Sequence, residues 1–164
     1  MKKVIGYVST KDLGTLKEQD IKNLDVINIA FGLIERHRVV WDSCGNEEYL
    51  PKIREINPDI KIVLSVGGWG ADGFSQAART EEGRALFAVS AVSLVETYGL
   101  DGIDIDWEYP GTSLAGIGSH VNDKENYTLL LKALRESLNH MEGEKSLSVA
   151  VGGDVYFALQ TDME

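Results

Sequence analysis

The stretch Leu100-Asp101-Gly102-Ile103-Asp104-Ile105-Asp106-Trp107-Glu108-Tyr109-Pro110 decides how this chain is read. It is short, rich in β-branched residues and closed by a proline, so a strand is expected over residues 102–109. Alternate residues of a strand share a face. Asp104, Asp106 and Glu108 therefore point one way, and Ile103, Ile105 and Trp107 the other. The apolar set suits burial beneath covering helices, which leaves the acidic set facing a barrel interior or a cleft at its mouth. Same-face Cα atoms lie about 6.6 Å apart, so the carboxylate tips come within reach of one another. Three carboxylates that close do not all ionise freely, and burial acts in the same direction. At least one is expected to have a raised pKa and to stay protonated near neutral pH. A protonated carboxyl at the C-terminal end of a strand is what a leaving oxygen needs as a general acid. Glu108 is outermost and has the longest reach. Two other readings stay open on the residues alone. The acidic face is the solvated side of an edge strand, or Asp-x-Asp-x-Glu holds Mg²⁺ or Ca²⁺ through oxygen ligands, without EF-hand spacing.

Working outward, four more apolar runs alternate with helical patterns, at residues 4–9, 26–32, 61–68 and 146–152. Several are almost continuously apolar, as strands covered on both faces should be. Residues 84–98 carry one apolar stripe at helical spacing, with Thr80 as N-cap, and residues 122–141 carry another. The second opens Asn122-Asp123-Lys124-Glu125, close to a capping box. Residues 49–56 form a shorter helix candidate stopped by Asn57-Pro58. Residues 34–45 are polar and mixed, a small insertion or irregular β excursion. No linker or composition break interrupts the chain, which reads as one domain over residues 1–164. Strand, helix, strand with right-handed crossovers implies a parallel sheet. Extrapolating the spacing to eight βα units gives roughly 290 residues, near the size of a TIM barrel. A five-stranded doubly wound sheet fits the length equally well on pattern alone.

Composition narrows the partners. The formal charge of −10 argues against nucleic acid and anionic membrane surfaces, and leaves neutral polysaccharides open. One cysteine, Cys44, excludes an internal disulfide and reads as a small buried or partly buried thiol. Met1-Lys2-Lys3 imitates a signal-peptide n-region, but the apolar stretch behind it is too short for an h-region. His37, His120 and His140 have no ligand spacing and read as surface residues.

Asp101, Asp104, Asp106 and Glu108 match the pattern Asp-x-x-Asp-x-Asp-x-Glu, which resembles the signature of glycoside hydrolase family 18. The fuller string Asp-Gly-Ile-Asp-Ile-Asp-Trp-Glu-Tyr-Pro is similar to the chitinase branch. Ser65-Val66-Gly67-Gly68-Trp69 is similar to the family's Ser-x-Gly-Gly on the third strand, and Gly6-Tyr7 and Ala30-Phe31-Gly32 also fit. The resemblance implies an α/β fold, a partial TIM (β/α)8 barrel of about the first five βα units, truncated at the C-terminal side. It implies that Glu108 protonates a glycosidic oxygen and later activates water, while Asp106 orients the substrate's acetamido group. Asp104, with Tyr7 and Ser65 nearby, would hold the proton that lets Asp106 do so. The substrate's own N-acetyl oxygen is then the nucleophile, with retention of configuration.

Tyr7, Phe31, Ser65, Gly68, Trp69 and Tyr109 are the expected substrate contacts, Trp69 by stacking on a sugar face and Gly68 by close backbone approach. Trp107 is expected in the core, and residues 111–121 in a substrate-facing loop. The implied partner is chitin or a chito-oligosaccharide, with no cofactor and no metal. A lectin-like binder on the same scaffold and an endo-β-N-acetylglucosaminidase are the alternatives. Family members are often secreted, and the chain itself does not encode its compartment. Five open strands would expose two sheet edges, so self-association through them and an inactive isolated piece are also expected.

Overall fold

The computed structural model describes residues 2–158 and Thr161. Among these residues six strands form one sheet: β1 (Ile5–Ser9), β2 (Val26–Glu35), β3 (Arg38–Val40), β4 (Lys61–Gly67), β5 (Gly102–Asp106) and β6 (Ser146–Val149). Among the described residues six α-helices accompany them: α1 (Glu18–Lys22), α2 (Leu50–Ile56), α3 (Phe74–Arg79), α4 (Glu81–Thr97), α5 (Asp123–Asn139) and α6 (Val155–Ala158). The parallel strands lie in the order β1-β2-β4-β5-β6, each beside the next in sequence. A doubly wound sheet reverses its strand order at a switch point. This one does not reverse, so the sheet has the progression of a barrel wall that is not closed.

The polar stretch at 34–45 is resolved as an extension of β2 that turns back through Arg36 and His37, both at positive φ, into antiparallel β3. Cys44 is exposed, against the buried or partly buried thiol expected, because it sits at φ 51° in the turn leaving this hairpin. The acidic strand ends two residues before Glu108, at Asp106. Glu108 therefore stands on the loop that leaves the strand, not on the strand itself.

The outer face of the sheet is the core. Ile103, Ile105, Ile62, Leu64 and Ile29 are fully buried in one cluster with Phe74 of α3, Phe87 and Ala91 of α4, and Tyr127, Leu130 and Leu134 of α5. Burying side chains of this size contributes about 1.5–3 kcal/mol each before entropy is set against it. Trp107 joins them as expected, stacked on Phe74 at 5.2 Å and edge-on to Tyr127. α4 starts where Thr80 Oγ1 accepts the Gly83 N–H at 3.0 Å. α5 does not use the capping box its sequence suggests: Asn122 makes no side-chain cap, and Asp123 turns its carboxylate elsewhere.

Asp101, the first acid of the signature, lies at the opposite end of β5 from Glu108. Its carboxylate receives Arg54 at 2.8 Å, Lys61 at 3.2 Å and the Ile62 N–H at 2.9 Å. Burial works to raise its pKa, but these donors outweigh it and hold the carboxyl below its ordinary value. Asp101 is a clamp between β4 and β5 and takes no part in the site.

Candidate functional site

The inner face of the sheet carries one layer of small residues around a single carboxylate. Ser9, Ala30, Ser65, Asp104 and Ser148 occupy successive register positions across the five parallel strands. Neighbouring strands lie about 4.8 Å apart, so only small side chains on either side let a carboxylate lie along the layer. Asp104 is 1% exposed, and three hydroxyls satisfy it. Tyr7 Oη and Ser65 Oγ donate to Oδ2 at 2.9 and 2.7 Å, and Ser148 Oγ donates to Oδ1 at 2.7 Å. These three hydrogen bonds occupy three of the carboxylate's roughly four lone-pair directions. Among the described residues no group of His, Cys, Asp and Glu is placed to hold a metal ion.

Electrostatics separates the acids. Asp106, half-buried one pleat above Asp104, has its pKa pushed up to about 6 by desolvation, then by the charges of Glu108 and Asp104. The sequence called for at least one raised carboxyl among Asp104, Asp106 and Glu108, with Glu108 as the acid. The raised one here is Asp106, and at about 6 it is mostly ionised at neutral pH. Tyr7 is pushed up to about 12, chiefly by burial and then by Asp104 as acceptor and charge, with Asn28 opposing. Its proton therefore stays in place to be donated to Asp104.

The aromatic side chains gather at the same end of the sheet. Tyr7, Ala30, Phe31, Asp106 and Ala150 line a cavity of about 510 Å³ over the inner face. Trp69 is 63% exposed and meets Tyr109 edge-on at 6.4 Å. Tyr109 in turn stacks on Phe157 at 3.8 Å. The Tyr109 hydroxyl is pushed up by Glu108, its hydrogen-bonding neighbour. Two glycines make the crowding possible. A Cβ on Gly67, at φ 122°, would lie 2.1 Å from the Asp106 carbonyl oxygen, and one on Gly68 would lie 2.9 Å from the Phe31 ring. Gly68 also donates its N–H to the Asp106 carbonyl at 2.9 Å. What Gly68 permits in this structure is therefore close packing of β4 on β5 and Phe31.

Of the residues named from sequence, Tyr7, Ser65, Asp104 and Asp106 form one connected group, and Trp69, Tyr109 and Glu108 stand together beside it. Ser148, Phe157 and Asn28 were missed. Ser148 had a signal, since every second residue of a fifth parallel strand faces the interior. Asn28 pairs with Tyr7 in register and is buried with its Oδ1 unpartnered, a position readable only once the register was known.

The family profile described as glycosyl hydrolases family 18 matches residues 3–163. Chitinase A1 of Niallia circulans is 40% identical over 131 residues, covering 75% of this chain and 19% of the relative. Mouse chitotriosidase-1 is 35% identical, over 66% of this chain and 24% of that protein. Among solved structures, a family 18 N-acetylglucosaminidase from Paenibacillus barengoltzii superposes with a TM-score of 0.94 at 45% identity, covering 99% of this chain and 49% of that one. The chitinase domain of the Clostridium difficile spore coat protein CotE gives 0.87 at 36% identity, covering 98% and 45%. The chain thus spans about half the length of these structures and a quarter or less of these curated relatives. With the same wall of parallel strands and the acidic motif at its centre, the chain belongs to glycosyl hydrolases family 18.

Proposed function

We propose that these residues form the acid half of a chitinase site that hydrolyses β-1,4-linked N-acetylglucosamine with retention. Glu108, beyond the strand end and hydrogen-bonded to Tyr109, protonates the glycosidic oxygen as the C1–O bond breaks. The substrate's N-acetyl carbonyl oxygen closes on C1 to give an oxazolinium ion. Asp106 accepts a hydrogen bond from the acetamido N–H and stabilises the positive charge of that ring. Glu108, now ionised, takes a proton from the water that reopens it.

The observation that carries this reading is the clamp on Asp104. Three hydroxyl donors hold one carboxylate immobile beneath a second whose pKa is about 6. Burial and the neighbouring charges bring Asp106 toward the pH range in which a carboxyl can take part in a reaction near neutral pH. The aromatic group of Trp69, Tyr109 and Phe31 offers faces for sugar rings alongside.

Tyr7 and Ile5 stand about half exposed on the unclosed inner face. The isolated chain is accordingly proposed to be inactive, and the outer edges of β1 and β6 to be sites of self-association. A second reading, release of single N-acetylglucosamine units, draws support from the 45% identity to the Paenibacillus N-acetylglucosaminidase.

The test compares a chito-oligosaccharide with a cello-oligosaccharide of equal length, in a barrel-length protein that carries this chain. Cleavage of the acetylated substrate alone is expected, because only it supplies the nucleophile. Equal cleavage of both overturns the mechanism, and the product sizes separate internal cleavage from release of monosaccharide.

A further inference from the structure

Asp123 is fully buried, belongs to α5, and has no part in the chemistry above. At the first position of a helix, a carboxylate ordinarily turns back to the helix's own free N–H groups. This one does not. Oδ1 accepts the Ser75 hydroxyl of α3 at 2.8 Å. Oδ2 accepts two loop amides, His120 at 2.7 Å and Gly111 at 3.2 Å.

Those three partners belong to the two segments that carry the site. Gly111 lies three residues beyond Glu108, joined to it by Tyr109 and the buried Pro110. His120 closes the far end of the same loop. Ser75 opens the helix that follows Gly67-Gly68-Trp69. A second bond runs in parallel at the surface, where Asp72 Oδ1 accepts both Gly73 and Gly118 N–H at 2.7 and 2.9 Å. One buried carboxylate thus ties the loop bearing Glu108 to α3, the helix that follows the Trp69 loop, and Asp72 of that loop adds a direct bond to Gly118.

We infer that Asp123 is a positioning residue that fixes Glu108 and Trp69 relative to one another; the consequence for catalysis rests on the functional reading above. A loop leaving a strand has no ladder to hold it, and a shift of about 1 Å in an acid/base can cost on the order of 100-fold in rate. Asp123 replaces that ladder by holding the backbone at both ends of the loop, at Gly111 and His120.

The test uses Asp123→Ala, Asp123→Asn and Ser75→Ala. Amide hydrogen exchange is followed in this chain, and kcat and KM are measured in a barrel-length protein carrying it. In Asp123→Ala, Gly111 and His120 are expected to lose protection while Leu130 and Leu134 of α5 keep theirs, and kcat to fall about 100-fold with KM little changed. Asparagine can turn its oxygen to the two amides and donate its NH₂ to Ser75 Oγ, so Asp123→Asn is expected to restore most of the protection and the rate. Ser75→Ala, which leaves both amides bonded, is expected to lose several-fold in kcat. Unchanged exchange at Gly111 and His120, or unchanged kcat in folded Asp123→Ala, overturns the inference. If Asp123→Ala does not fold, an unchanged kcat in Ser75→Ala overturns it instead. A parent protein that cleaves nothing counts against the functional reading, and the exchange pattern then decides the positioning role alone.

Discussion

Ser148 donates its hydroxyl to Asp104 Oδ1 at 2.7 Å from the neighbouring strand, across the register pair Asp104↔Ser148. Ser65 and Tyr7 serve the other oxygen from the opposite side. The carboxylate is thus held in its plane by donors on three strands, and each donor limits how far Asp104 can turn toward Asp106.

Removing one donor should cost both stability and rate. Ser65 is fully buried, so Ser65→Ala is expected to lose about 1.5–3 kcal/mol, the worth of a hydrogen bond to a charged group. Ser148 is exposed, water replaces its hydroxyl in part, and Ser148→Ala should lose about 1 kcal/mol. Because both serve one carboxylate, their effects on activity should be non-additive. Urea unfolding and a double-mutant cycle in kcat/KM check this.

Asp106 makes stability depend on pH in a predictable direction. Its folded pKa of about 6 exceeds the ordinary 3.8 of an aspartate, so the folded state binds the proton more tightly. That stabilisation is complete below about pH 4 and is lost as pH rises through 6. Asp106→Asn, which cannot ionise, should therefore match the parent at pH 4 and exceed it at pH 8. Solvent around this half-buried carboxyl reduces the gain to about 1 kcal/mol. Thermal unfolding at the two pH values measures it, and a variant less stable at pH 8 than at pH 4 relative to its parent contradicts the assignment.

Asp101 should behave oppositely. Its lowered pKa means that its stabilisation is present above the unfolded value and lost as pH falls through the lower folded one. Asp101→Ala leaves Arg54 without its carboxylate partner and should cost about 2–3 kcal/mol in unfolding experiments near neutral pH.

Two glycines with positive φ should respond very differently to alanine. At Gly67 the new methyl would meet the Asp106 carbonyl at 2.1 Å, whereas at Gly99 nothing lies within 4 Å. Gly99→Ala should cost about 1 kcal/mol for its φ alone. Gly67→Ala should lose 3 kcal/mol or more, or fail to fold, which soluble yield and unfolding curves will separate.

The parallel strands, two long helices and the acid group were legible because each rests on a local rule: alternation on a strand, a stripe on a helix, a charged triplet among isoleucines. Asp104 with Tyr7 and Ser65 came through the family resemblance, and the register then showed why those residues meet. What stayed hidden depended on where strands and loops finish. Glu108 was assigned to the strand because Trp107 continues the alternation, yet β5 ends at Asp106. Asn122 looked like a cap, and the neighbouring Asp123 was spent on a loop seen only in three dimensions. α3, only six residues long, had too few turns to show a period.

Glu108 is the residue proposed to move the protons. Chito-oligosaccharide cleavage should be measured in a barrel-length protein carrying this chain, beside its Glu108→Gln variant, with both shown to be folded. In the variant kcat is expected to fall about 10²–10⁴-fold, with substrate still bound. Cleavage at the parent's rate by Glu108→Gln would contradict that role.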